Sequence, residues 1–192
     1  KQTNGKFSLN DFHKKPIIAD ADTIFSTHFD CFVVSKAGQK GLYDAEGKCL
    51  LPITFNNISF DNSRYWLVNK DGKQGLYSYM GKEILPPRYD SIEVACSFCT
   101  TASNYFIVKK GLYGLCNKEG KFIVDPQYTA IKYRYLRFFK LTKGDSCHYL
   151  FNYKDIIKDI TLDDAMPITI QRNEQKRFYF NYKQGKAWGL LR

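Results

Sequence analysis

Histidine, methionine and tryptophan are scarce in this 192-residue chain, at three, two and two copies. The three histidines, His13, His28 and His148, are scattered, so none makes a metal-ligand pair with another. Enzyme signatures are missing as well: there is no GxSxG, no HExxH and no glycine loop running into Lys-Ser/Thr. Asp163-Asp164 is a carboxylate pair, but adjacent strand residues point to opposite faces, and a surface loop accounts for it. Cys99 would form a nucleophile–base pair with His28 or His148 only if the fold joined them. No run of eighteen apolar residues occurs, which excludes a membrane-spanning helix. No window carries a long 3.6-residue apolar period. Tyr153 to Met166 admits a helix, with Ile156, Ile157, Ile160 and Leu162 on one face, as readily as extended chain. The chain is therefore expected to be no enzyme, with no cofactor and no bound metal.

The six cysteines, Cys31, Cys49, Cys96, Cys99, Cys116 and Cys147, permit fifteen pairings. Cys49 and Cys116 fall inside expected strands, where a small buried hydrophobe is the ordinary role. Cys96-Ser97-Phe98-Cys99 has CxxC spacing but stands alone, whereas zinc wants a second pair. A local bridge there and unpaired thiols both stay open. Net charge is +10, which favours acidic partners. Much of the lysine sits in turns, as Lys48, Lys73, Lys82, Lys121 and Lys186, where it discourages edge-to-edge aggregation.

What the chain has in abundance is one phrase. Lys40-Gly41-Leu42-Tyr43 returns as Gln74-Gly75-Leu76-Tyr77, Tyr113-Gly114-Leu115-Cys116 and Trp188-Gly189-Leu190-Leu191. Gly41, Gly75 and Gly114 are spaced by 34 and 39 residues, and Gly189 follows 75 later. An eroded copy is therefore due near Tyr149-Leu150-Phe151-Asn152, which keeps the leucine and loses the glycine. The clearest unit runs from Trp66 to Ile92. Asp71-Gly72 is a strong hairpin signal, Met80-Gly81-Lys82 a second turn, Pro86-Pro87 a strand end, and Tyr89 to Val94 a fourth strand. Glycine weakens a strand interior, so Gly41, Gly75, Gly114 and Gly189 need a cause: either close approach of a neighbour or a β-bulge.

A strand, Gly-Leu-aromatic, a Gly-Lys turn and a Pro-x-Tyr-Asp-x-Ile ending resemble the bacterial WG-repeat family; the Trp-Gly pair itself survives at Trp188-Gly189. The resemblance implies a β-repeat fold with a binding function and transfers no catalytic residue. A single all-β domain over 1–192 is expected. Its antiparallel meander units span 32–58, 66–92 and 106–131, with a degenerate unit at 139–165 and partial units at 6–24 and 178–192. The partial units would together make one whole, giving about five, arranged as a closed propeller-like ring or an open curved stack.

Two binding functions follow. Inter-unit loops at Asn57 to Arg64, Cys96 to Tyr105 and Leu162 to Arg177 are expected to recognise a protein or glycan. Alternatively, the basic–aromatic stretch 131–143, read as one strand, puts Lys132, Arg134, Phe138 and Lys140 on one face for a polyanion. The start at Lys1, without methionine, fits a trimmed and exported protein, with a cytoplasmic place left open.

Overall fold

Short alternating runs broken by glycine turns fold this chain into strands. The computed structural model describes residues 5–11, 13–61, 64–95, 104–134, 138–151, 155–157, 167–172, 175–184 and 187–191, with side chains up to Leu150 apart from Phe138. The chain divides into two compact units, Lys1–Ile92 and Glu93–Arg192. In the first, β1 (Phe7–Asn10) and β2 (Pro16–Ala21) form a hairpin. Two four-stranded sheets follow. One contains β3 (Thr23–Ser26), β4 (Phe32–Lys36), β5 (Gln39–Tyr43) and β6 (Cys49–Phe55); the other contains β7 (Asn57–Asp61), β8 (Tyr65–Lys70), β9 (Lys73–Ser78) and β10 (Glu83–Tyr89). The third sheet, β11 (Ser91–Val94), β12 (Tyr105–Lys110), β13 (Leu112–Asn117) and β14 (Phe122–Tyr128), begins at the unit boundary. The second unit continues with β15 (Ala130–Tyr133), β16 (Phe138–Lys143), β17 (Ser146–Phe151) and β18 (Asp155–Ile157), then β19 (Pro167–Arg172), β20 (Gln175–Gln184) and β21 (Ala187–Leu191). Each sheet is an antiparallel meander.

The sheets are phased one strand earlier than the sequence units. The Tyr-Asp-x-Ile phrase is a joint between sheets: Phe55 ends β6, Asn56 crosses, and Asn57 opens β7. Asn56 N donates to Asn69 O, and Asn56 Oδ1 accepts from Asp71 N at 2.6 Å. The joint thus pins the hairpin of the sheet it enters. Asp22 does the same one copy earlier, accepting from Ala37 N at 2.8 Å. Both pinned hairpins carry two left-handed residues, Ala37-Gly38 and Asp71-Gly72, as tight strand-matching turns need. A hydrogen bond from Lys6 also holds the Asp22 carboxyl below the usual carboxylate range.

The turn between the third and fourth strands is copied four times. Asp11, Asp44, Ser78 and Asn117 each accept, through the side chain, from the backbone N–H four residues on. Residue four of the turn is left-handed: Gly47, Gly81 and Gly120, but Lys14 in the first copy. Two stability changes are expected. Asn117→Ala should cost about 1 kcal/mol through the lost bond. Lys14→Gly should gain about 1 kcal/mol by relieving the left-handed lysine. Urea titration of both variants checks the opposite signs.

The strand glycines satisfy both explanations offered for them. In all three clear copies the fourth strand shifts register opposite the glycine. The displaced backbone then lies against it. A Cβ on Gly41 would meet Ile53 N at 2.9 Å, on Gly75 Pro87 N at 2.8 Å, and on Gly114 Val124 O at 2.8 Å. The bulge is the close approach. Pro86 and Pro87 therefore do not end the strand. β10 runs through them to Tyr89, because an edge strand with disrupted pairing tolerates their missing N–H groups.

The eroded copy departs from expectation by one residue. Leu141 pairs with His148 as Val68 pairs with Gly75, so His148 holds the glycine position and Tyr149 the leucine position. Opposite this stretch, the described part of β18 pairs without a bulge and reaches Tyr149. In the stretch from Tyr153 to Met166, which admitted either helix or extended chain, residues 155–157 are strand and pair with β17; the rest of it lies outside the described residues.

Two hydrophobic cores show why the copies stack. Leu42, Leu51, Phe55, Ile58, Trp66, Val68 and Tyr77 pack together in the first unit. Leu115, Val124, Tyr128, Ile131, Phe139, Leu141 and Leu150 occupy the corresponding positions in the second. Each core joins one sheet to the next. β1–β2 carry the third-to-fourth-strand turn, while β19–β21 supply a first, second and third strand, with Gly189 opposite Tyr182.

Candidate functional site

Antiparallel order puts two kinds of connection at opposite ends of each sheet. One end has the tight second-to-third-strand hairpins and the joints. The other has the third-to-fourth-strand turns and the links between first and second strands, of which the one at 27–31 is described throughout and is irregular. Two of the three expected loops need narrowing. Asn57–Asp61 is β7, and β19 occupies much of the stretch from Leu162 to Arg177, where Ile168 and Ile170 alternate with polar neighbours. Residues 96–103 lie outside the described ones.

The irregular end of the first unit carries a cluster that the sequence reading did not isolate. Between β3 and β4, Thr27 N donates to Cys31 O and closes a tight turn at His28–Asp30. Phe29 and Asp30 are both left-handed there, at φ of 59° and 52°. A non-glycine residue in that region costs roughly 1–3 kcal/mol. Phe29 is 56% exposed. Its ring lies 5.4 Å from Phe60 on β7 and 6.0 Å from Tyr79 in the turn after β9, at 73° and 48°. His28 and Trp66 also meet Phe60 edge-on, each at 4.8 Å. Buried Trp66 donates from Nε1 to Tyr79 O at 3.2 Å, which fixes the second turn. Tyr79 and Met80 stand out from that turn at 48% and 62% exposure. The Asp30 carboxylate is exposed and has no hydrogen-bond or ion-pair partner among the described residues. The one sequence signal was His28-Phe29-Asp30 placed between strands, too short to stand out.

The basic stretch is a hairpin rather than one strand. Ile131 pairs with Leu141, Lys132 with Lys140 and Tyr133 with Phe139. The register keeps the apolar residues on one face and sets two lysines side by side on the other, an unfavourable like-charge pair. Lys132 and Arg134 are exposed and Lys140 half-buried. Among the described residues none of the three has an acidic partner. Phe138 pairs with Phe151 at the start of β16, and its side chain lies outside the described ones. Of 29 basic and 19 acidic residues, 17 and 9 lie at 93–192, so that half carries +8 of the +10.

His28 meets Phe60 edge-on, and Cys99 lies outside the described residues. His148 Nδ1 lies 3.2 Å from Tyr128 Oη, at the position the other copies give to glycine. Cys96, Cys99, Asp163 and Asp164 lie outside the described residues. Cys31, Cys49, Cys116 and Cys147 are free thiols. Burial pushes Cys116 up to about 12. Tyr43 is pushed up to about 12 by burial and by Cys49 across the strand pair. Both groups favour their neutral form in the fold. Their stabilisation is complete below the unfolded values, about 8.5 and 10, and drains as pH rises toward 12. Cys49, by contrast, is exposed. Thiol labelling at pH 8 followed by peptide mass mapping should modify Cys49 in the folded chain and Cys116 only in urea.

Comparison with known proteins bears on the repeat. No curated protein matches the sequence. A solved structure described as the eukaryotic initiation factor resembles the chain at 9% identity and a TM-score of 0.40. That likeness covers 88% of this chain and 55% of the other, and it carries no argument. Two segments, 75–95 and 113–135, match the family model described as the WG containing repeat. The first starts at Gly75 and the second at Tyr113, just before Gly114; each runs through the bulged strand and across the joint into the next sheet. The chain thus resembles that repeat at two of its copies.

Proposed function

We propose that the protein is a non-enzymatic interaction module that recognises a protein or a glycan through the irregular ends of its sheets. The observation that carries this reading is the contrast between those ends. In the first unit, one is closed by two tight hairpins pinned by Asp22 and Asn56. The other projects Phe29, Tyr79 and Met80 from a strained link and a turn. Aromatic side chains set on a rigid scaffold are what recognition surfaces use. The test is screening of the full chain on glycan arrays and displayed peptide libraries. It is run beside a variant whose 27–31 link is replaced by a plain Asn-Gly hairpin turn. Loop-dependent binders are expected; a set of binders that ignores the replacement removes the reading.

A second reading rests on the Lys132–Lys140 pair, next to Arg134 and without acidic neighbours among the described residues. An anionic polymer would offset the repulsion between the lysines. Wild type should elute from immobilised heparin at higher salt than a Lys132, Arg134 and Lys140 triple-alanine variant. Equal elution would sink this alternative.

A further inference from the structure

The aromatic link of the first unit offers a specific chemistry. Phe29 and Tyr79 turn half-exposed rings toward solvent, 6.0 Å apart and tilted by 48°. Two half-exposed rings offer apolar surface for a ligand to lie against. Asp30 follows Phe29 directly in the chain and is exposed. Both residues are left-handed, so the tight link presents an aromatic ring and a carboxylate from consecutive positions. Beneath them the Trp66 N–H is already used, bonding Tyr79 O, while the exposed His28 ring meets Phe60 edge-on.

From this geometry we infer that Phe29, Tyr79 and Asp30 form a binding site for a neutral saccharide, an inference that rests on the loop-end recognition proposed above. The aliphatic C–H face of a sugar ring lies on an aromatic face, and its hydroxyls donate to the carboxylate. Each alternative meets an obstacle. A polyanion is repelled by Asp30. A purely apolar peptide would strip water from that carboxylate and return no hydrogen bond. A cation finds phenylalanine and tyrosine faces, poorer than tryptophan, on a chain of net charge +10.

The experiment titrates the full chain with cellopentaose, chitopentaose, laminaripentaose and mannopentaose, and with choline as the cation probe. Amide NMR shifts and tryptophan emission are followed, since Trp66 touches the cluster through Phe60. Saturable binding of at least one saccharide is expected. Phe29→Asn, which keeps the left-handed backbone accessible, and Tyr79→Ala should each weaken it about tenfold. Phe25→Ala, at another exposed phenylalanine on β3, should leave it unchanged. Circular dichroism of each variant confirms that it folds. The inference is overturned if no saccharide saturates, if Phe29→Asn and Tyr79→Ala bind like wild type, or if choline binds more tightly than every sugar. Should the sugars fail while displayed peptides still require the 27–31 link, the saccharide assignment falls and the broader loop-end reading stands.

Discussion

Gly75→Ala is expected to destabilise the first unit by about 3 kcal/mol, at the upper end for overpacking. The direction runs against strand propensity, since alanine ordinarily gains about 0.5–1 kcal/mol over glycine in a strand. The reversal comes from the bulge. The new methyl would sit 2.8 Å from Pro87 N and 3.0 Å from Leu85 O. Both are backbone atoms, and two successive prolines leave that segment little room to rotate away. β10 would have to lift from β9, which loosens Leu85 and Tyr89, both buried. Gly72 is the control. It is left-handed at φ +74 but has nothing within 4 Å, so alanine there meets backbone strain alone. Urea unfolding should place Gly75→Ala well below Gly72→Ala; equal midpoints would remove the close-approach account.

Trp66→Ala should cost more, about 4 kcal/mol. The side chain is buried at the interface of the first two four-stranded sheets, with Leu42, Leu51 and Phe55 in the same core. Removing it leaves a cavity between sheets that their short joint cannot close. It also leaves Tyr79 O without its donor and Phe60 without one of its edge contacts. Trp66→Phe separates the two effects. It keeps a smaller ring in the core and loses the N–H, so about 1–2 kcal/mol is expected. Denaturant titration gives the stabilities, and hydrogen exchange at the 79–82 turn reports the lost bond. If Trp66→Phe were as damaging as Trp66→Ala, the packing argument would be wrong.

The sequence was most readable where one residue type meets one geometric need. Asp71-Gly72 announced its hairpin because few residues tolerate two positive φ angles. Gly75-Leu76 announced a strand under compression, though not that the bulge was what compressed it. Phase was harder. Tyr89 to Val94 alternates as one strand would, and only the hydrogen bonds show Asp90 as a joint between two. In the eroded copy the leucine of Tyr149-Leu150 misled by one residue, because burial on both faces hides which face a residue belongs to. The 131–143 stretch kept its facial pattern while changing its topology. Pairing in register preserves parity, so Lys132 and Lys140 still share a side across the hairpin. The Phe29 cluster was illegible for a different reason. Its members lie at 28–30, 60, 66 and 79, and nothing local to any of them points to the others.

The joint at Asn56 is a single residue long, and apolar side chains on either side of it serve one common interior. A lone copy excised from the chain would carry its leucine side into water with nothing to cover it. Viability thus belongs to runs of neighbours. Lineages that lengthen or shorten such an array must gain or lose whole periods, because a cut within a period strands half of a shared interior.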